Sequence, residues 1–266
     1  IGTGFSSTIP PFKPSRILSN IERILNGQEL KQMTPWYRGF KGTISNISHQ
    51  HWVTEGVHER TGDKVSVTEL PPGKWTQDYK EYLDSLIEKG IIRSYINRST
   101  TESVQFDILG CPDGVDLKLS KSVTTTNMHL FHPTEGIKKY DTPEEILIDF
   151  TKVRLEYYKA RRLHWLNVIK EKITLLENKK RFIHDVVSGS IIVFLRNKND
   201  LVRELETKKF THIDSLLDVK TYQYTDDHIR LLENEVAKMK RDRSTLSNST
   251  PSSMYKSDIN KIITKQ

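Results

Sequence analysis

Thr142-Pro143-Glu144-Glu145 opens the stretch that decides the fold, because the chain then reaches Gly189 without another glycine or proline. A threonine followed three residues on by a glutamate is a capping box, and proline suits the first helical position, so a helix starts here. At ~1.5 Å per residue it runs for roughly 65 Å, well beyond an ordinary globular helix. In its far part Leu166, Ile169, Ile173, Leu176, Ile183 and Val187 keep a three-four alternation that only Lys180 breaks. After Thr225, the residues Ile229, Leu232, Val236, Met239 and Leu246 repeat that alternation, broken at Arg243. Two helices with matching seams, joined by the compact stretch 188–225, predict a long antiparallel α-helical coiled coil with a small globular tip. Ser247 to Ser253 reads as a polar, proline-containing linker before a last short helix carrying Ile259, Ile262 and Ile263.

Upstream the pattern changes. Pro10, Pro11 and Pro14 end an opening loop, and Ile17, Leu18, Ile21, Ile24 and Leu25 then recur at helical spacing up to Gly27. From Gly42 to Leu70 short β-branched runs such as Val65 and Val67, with a Thr61-Gly62-Asp63 turn, predict two or three antiparallel strands. Thr76 reads as the N-cap of a helix bearing Tyr79, Tyr82, Leu83, Leu86 and Ile87, which Gly90 ends. Strand signals return at Val104–Leu109 and Met128–Phe131, so this half is expected to be an α+β domain.

Across 266 residues, 41 Lys+Arg against 34 Asp+Glu give a net charge of +7, and only 35% of residues are hydrophobic. That size holds one large domain or two ordinary ones, and the low apolar content favours an extended body over a compact enzyme core. A single cysteine, Cys111, excludes an internal disulfide and a thiolate zinc site, and fits a reducing compartment. Even the apolar run Ser190 to Leu195 is far short of the ~18 residues a membrane helix needs, so no membrane partner is expected. The chain opens on Ile1-Gly2-Thr3-Gly4 with no methionine and no signal-like segment, and is read as part of something longer.

Most residues that invite a chemical reading have a structural one. Gly2-x-Gly4 lacks the lysine of a phosphate loop and the third glycine of a dinucleotide fingerprint. Asp226-Asp227 and Glu144-Glu145 are acidic pairs at helix starts, where the helix dipole accounts for them. His49, His51, His129 and His132 lack a companion ligand at metal spacing, so no metal site is expected. The positive charge says more. Lys13, Arg16, Arg23 and Lys31 lie in and beside the first helix, and Trp36-Tyr37-Arg38-Gly39-Phe40-Lys41-Gly42 sets aromatics between cations, a composition suited to phosphate contacts.

Several runs converge, in order, on one family. Ile1-Gly2-Thr3-Gly4-Phe5-Ser6-Ser7-Thr8-Ile9-Pro10-Pro11, Pro35-Trp36-Tyr37-Arg38-Gly39-Phe40-Lys41-Gly42-Thr43-Ile44, Glu69-Leu70-Pro71 with Trp75-Thr76-Gln77, Asn127-Met128-His129-Leu130-Phe131, and Lys138-Lys139-Tyr140-Asp141-Thr142 leading to Val153-Arg154-Leu155-Glu156-Tyr157-Tyr158 resemble the breakage-reunion region of eukaryotic-type type IIA DNA topoisomerases. The likeness covers nearly the whole chain and thins over 90–121, 195–212 and after 247.

The resemblance implies a winged-helix junction over 1–12, a tower domain over 13–141, coiled-coil arms over 142–187 and 225–247, a C-gate tip over 188–224, and a linker with a C-terminal helix over 248–266. It implies double-strand passage by an ATP-dependent enzyme whose catalytic tyrosine, magnesium site and ATPase lie outside this stretch, which then carries no catalytic residue, cofactor or metal of its own. Double-stranded DNA is the implied partner, through Ile1, which matches the family's intercalating isoleucine, and through Lys13, Arg16, Arg38, Lys41 and Lys74. Lys13 stands where the family often has Asn or Asp, so an N-cap is lost and a cation gained. A homodimer is implied through the tip, at Leu216, Leu217, Val219, Tyr222 and Tyr224, some of whose apolar surface has no obvious burial within the chain. The absence of a long charged tail resembles enzymes of large cytoplasmic DNA viruses such as asfarviruses, which implies host cytoplasm, against the nucleus for a cellular enzyme. From the residues alone a rival stands, a non-enzymatic coiled-coil interaction or nucleic-acid-binding protein with an α+β head.

Overall fold

The computed structural model describes residues 4–263. Its contacts divide the chain into two compact units, 1–153 and 154–266.

The first unit is α+β. Helix α1 (Pro14–Leu25) starts on proline, with Lys13 at the N-cap making no side-chain cap. The missing cap follows from lysine's lack of an acceptor. Asn20, buried in α1, takes the Lys31 amide on Oδ1 (3.0 Å) and donates Nδ2 to the Lys31 carbonyl (2.7 Å), so one side chain replaces a strand partner for the segment after the helix.

Four strands, where two or three were expected, fill the next stretch: β1 (Thr43–Ser48), β2 (His51–Glu55), β3 (His58–Thr61) and β4 (Lys64–Val67). They belong to two sheets. The first two pair with β7 (Ser120–Thr124), and the second two join β6 (Phe106–Leu109) and β5 (Ser94–Asn97) in the order β3-β4-β6-β5, all antiparallel. Helix α2 (Thr76–Glu88) covers this four-stranded sheet, burying Tyr79, Leu83 and Leu86 with Val65, Val67, Phe106 and Ile108. Its N-cap is Trp75, and Thr76 is the first helical residue, which corrects the expected cap by one position. Both α1 and α2 end in the same motif: Gly27 and Gly90 take positive φ, and the next amide bonds back to Arg23 and Leu86 respectively.

Asp107 on β6 shows what charge does inside this unit. The Ser66 hydroxyl donates to it (2.8 Å), Lys64 and Arg98 lie at 3.3 and 3.5 Å, and the carboxylate is almost wholly buried. The Ser66 bond, opposed by burial and aided by Lys64 and Arg98, holds its pKa below the ordinary 3.8. A depressed carboxylate pKa gives stability that is full above the unfolded value and lost as pH falls through the folded one. Asp107→Ala should therefore cost about 1–2 kcal/mol at neutral pH, with the gap to the parent closing below the ordinary carboxylate range. Urea denaturation at pH 7 and at about pH 2.5 checks this, and a gap that widens in acid contradicts it.

Hairpin β8 (Met128–His132) and β9 (Gly136–Tyr140) leads into α3 (Pro143–Val187), the expected unbroken helix of 45 residues. Only half of the expected capping box forms: Thr142 Oγ1 accepts from the Glu145 amide (3.3 Å), while the Glu145 carboxylate takes the Asp141 amide (3.1 Å). Asp149 ties the hairpin to the helix, with His132 at 3.5 Å and Lys138 at 3.0 Å. At the other end of the unit, the Thr8 amide bonds to the Asn127 carbonyl, Asn127 donates to Ser6, and the His129 amide donates to Ser7.

In the second unit, α3 from Arg154 onward packs on α6 (Asp226–Asn248). Lys180 reaches Glu233 while Arg162 donates to the Leu246 and Ser247 carbonyls, so the two helices run antiparallel. Ile173, Leu176, Leu232 and Val236 are buried between them as the seam predicts. Val187 is exposed, and Phe182, outside the seam, is fully buried instead. The reason is the tip: α4 (Lys198–Thr207), α5 (Ile213–Leu217) and a 3-10 turn (Thr221–Gln223) surround the end of α3, so its core face widens from a stripe to an arc through Phe182, Ile183 and Val186. The expected linker shrinks to Ser249 and Thr250, because α7 (Pro251–Ile263) begins at once and Thr250 and Ser253 cap it reciprocally.

Candidate functional site

The cations of the first unit sit on segments that backbone bonds bring together. Phe12 pairs with Pro35, and the Trp36 amide donates to the Pro11 carbonyl (2.8 Å), so the approach to α1 lies beside the aromatic loop. In that loop Tyr37 and Phe40 meet edge to face at 6.4 Å, and the Phe40 amide closes a turn onto Tyr37. The rings hold the turn, and Arg38 and Lys41 project from it into water. Lys13 and Arg16 are likewise exposed on the first turn of α1. Burial pushes the Tyr37 phenol pKa up.

Lys74, also expected to contact DNA, is only partly exposed. Its ammonium donates to the Lys118 carbonyl (2.8 Å) and lies over the rings of Tyr79 and Tyr82. Burial, and then the charge of Lys118, draws its pKa below the usual lysine range. Lys121 donates to the Gly73 carbonyl (3.0 Å), and Lys118 sits over Tyr82 at 4.5 Å. Three ammonium groups thus crowd the Pro71–Trp75 loop. Lys118 and Lys121 escape a reading of the sequence because they come from around the start of β7, and no local spacing marks a cluster formed by sheet topology. Lys41, Lys74, Trp75 and the loop 99–104 line one open cleft of about 850 Å³. The Ile1 expectation falls outside the described residues.

The remaining candidates for chemistry find structural roles. Among the described residues no group of three His, Cys, Asp or Glu side chains could hold a metal ion. Cys111 is buried beside Arg60. Burial raises the phenol pKa of Tyr79, and burial with the Asp84 hydrogen bond pushes Tyr95 up to about 12, so neither is primed as a nucleophile. No described helix is long and apolar enough to cross a membrane.

At the tip, the expected contact residues separate into two groups. Leu216 is 0% and Val219 8% exposed, both inside the core with Phe182, Leu205 and Phe210, and Leu217 and Tyr224 pack partly against it. Of the apolar surface expected to lack burial in part, that of Leu216 and Val219 is enclosed by α4, α5 and α3. Tyr222, 70% exposed, remains at the surface. Ile192, Phe194, Leu195 and Leu231 are also exposed large apolar side chains of this unit.

A family model describing the DNA gyrase/topoisomerase IV A-subunit matches residues 1–265. DNA topoisomerase 2 of Pisum sativum is 39% identical over 79% of this chain and 16% of its own length. The mitochondrial DNA topoisomerase 2 of Dictyostelium discoideum is 34% identical over 98% of this chain and 22% of its own, and the DNA topoisomerase 2 of Acanthamoeba polyphaga mimivirus is 26% identical over 99% and 28%. The chain therefore spans between about a sixth and a little over a quarter of these curated relatives. Among solved structures, the DNA-binding, cleavage and re-ligation domain of Plasmodium falciparum topoisomerase II superposes with a TM-score of 0.89 at 32% identity, over 98% of this chain and 42% of that one.

Proposed function

The chain belongs to the DNA gyrase/topoisomerase IV A-subunit family, and from that premise we propose that it is the tower and exit-gate portion of a type IIA DNA topoisomerase. The observation that carries the reading is the superposition on a topoisomerase II cleavage domain over nearly the whole chain. In this reading the first unit, up to about Asp141, is the tower that binds the arms of the gate duplex. The α3–α6 pair is the coiled-coil arm, the stretch 188–224 is the C-gate tip, and the chain acts as a homodimer within an enzyme that passes one duplex through another. An interaction protein without enzymatic context is the less favoured alternative, because the family match extends to the tip as well as the head.

Among the described residues no group of three or more His, Cys, Asp or Glu side chains could hold a metal ion, and the sequence holds no phosphate-binding glycine loop. Mg2+ and ATP are proposed for other parts of the complete enzyme.

What these residues supply is positioning. Lys13, Arg16, Arg38 and Lys41 are solvated cations on a loop and helix start held by aromatic and backbone bonds, and they form no ion pair among the described residues that a phosphate would first have to break. Such contacts fix a duplex but carry no base sequence. Each neutralised phosphate contributes a log-log salt slope near ~0.9. Arg38→Ala with Lys41→Ala should weaken binding equally for two unrelated duplexes and reduce the slope by about 2. Fluorescence anisotropy across a salt series measures both, and an unchanged slope removes these residues from the DNA surface.

A further inference from the structure

Trp75 occupies a position that folding does not explain. It is the N-cap of α2, where Ser, Thr, Asp or Asn would satisfy a free amide, and its side chain makes no capping hydrogen bond among the described residues. It does not serve the core either, since the residue is 74% exposed, the most exposed of the described tryptophans. An indole that neither caps nor packs is available to something outside the chain.

Its surroundings specify the chemistry. The cleft it lines is also lined by Lys41 and Lys74 and by the loop Ser99, Thr100, Thr101 and Ser103. Lys118 and Lys121 crowd Lys74 from outside the cleft, and Asp116 and Asp78 offset part of their repulsion, so Lys41 is the cation of the cleft most open to a phosphate. Two carboxylates, Glu69 and Glu102, also line the cleft, which keeps it from being a simple polyanion track. The Ser99, Thr100 and Ser103 hydroxyls are engaged within their own loop, so what the cleft offers a nucleotide is the flat π-face of Trp75 for a base and the exposed Lys41 ammonium for its phosphate. An intact duplex hides its base faces within the stack, whereas an unpaired base offers one to an aromatic ring.

We propose that Trp75 and the adjoining cleft form a binding site for single-stranded nucleic acid, with one base stacked on the indole and its phosphate held by Lys41. This rests on the reading of the first unit as a nucleic-acid-binding surface, and adds to it a second mode that the duplex contacts of Arg38 and Lys13 do not supply.

The test compares fluorescein-labelled dT12 with a 20-base-pair dumbbell closed at both ends by hexaethylene glycol linkers, which has neither free ends nor unpaired bases, on the parent chain, Trp75→Ala and Trp75→Phe, with circular dichroism of each. Base stacking on an aromatic is worth about 1–3 kcal/mol, so Trp75→Ala should weaken dT12 binding about tenfold. Trp75→Phe should stay within about threefold, dT12 should quench tryptophan emission in the parent far more than in Trp75→Ala, and dumbbell affinity should be the same in all three. Equal dT12 affinity in Trp75→Ala overturns the proposal. So does an equal loss on the dumbbell, which would place Trp75 on the duplex surface. A parent that binds the dumbbell but not dT12 also overturns it, leaving the cleft to a protein partner and the duplex reading intact. A parent that binds neither removes the duplex reading as well.

Discussion

A variant carrying Phe194→Arg and Tyr222→Arg should sediment as a monomer at concentrations where the parent chain dimerises. Both side chains are large, apolar and mostly in water in the isolated chain, and both belong to the unit proposed to carry the exit gate. In a two-fold interface the same patch meets itself, so each substitution acts twice and sets like charges against each other. If the two rings, counted over both copies, are anchors worth about 4 kcal/mol together, the dissociation constant rises roughly a thousandfold. Since neither ring is buried in the tip core, circular dichroism should be unchanged, which separates loss of association from loss of fold. A folded variant that dimerises like its parent moves the interface elsewhere. The choice of residues follows from burial: a charge at Leu216 would break the core before it could test a contact.

Phe182→Ala should produce the largest loss of stability in the second unit. The ring is fully buried, edge-on to Phe210 at 6.2 Å and to Tyr224 at 6.4 Å, and it joins α3 to the tip. Truncation of such a ring costs about 3–5 kcal/mol, a large share of the roughly 5–15 kcal/mol that holds a typical domain. Val187→Ala, five residues further along the same helix but exposed, should change stability by less than about 0.5 kcal/mol. Urea denaturation of the two variants distinguishes them, and equal midpoints would contradict the arrangement of the tip.

That contrast also shows where sequence reading stops. The long helix is legible because its signal is local: a start at Thr142-Pro143 and the absence of any breaker up to Gly189. The seam is legible for as long as α3 faces one neighbour. It misassigns Val187 and misses Phe182 where several elements surround the helix, since a fixed period assumes one buried stripe. Strand β1 is hard to see because all but Ile44 of Thr43–Ser48 lies exposed, leaving no alternation to read. At the candidate surfaces, the exposed cations Arg38 and Lys41 are visible from composition, but Lys118 and Lys121 join Lys74 only through the sheet. At the tip, leucine, valine and tyrosine look alike whether they fill a core or face a partner. The run ending in Phe194 and Leu195 reads in sequence only as an apolar stretch too short for a membrane, although its exposed side chains are what a partner would meet.

The bonds that tie Ser6, Ser7 and Thr8 to Asn127 and His129 set a clock on synthesis. These partners are separated by 121 and 122 residues in the two side-chain bonds. Met33 waits for Glu144, and Gln50 for Asp141, across 111 and 91 residues. At the usual ribosomal pace of about 5–20 residues per second, the opening segment stays without these partners for roughly 6–24 s after it is made. The sheet pairs β1–β2 and β3–β4 need only neighbouring residues and can form during that interval, while closure of the unit must await its final hairpin. The first residues of this unit to leave the ribosome are therefore among the last to settle.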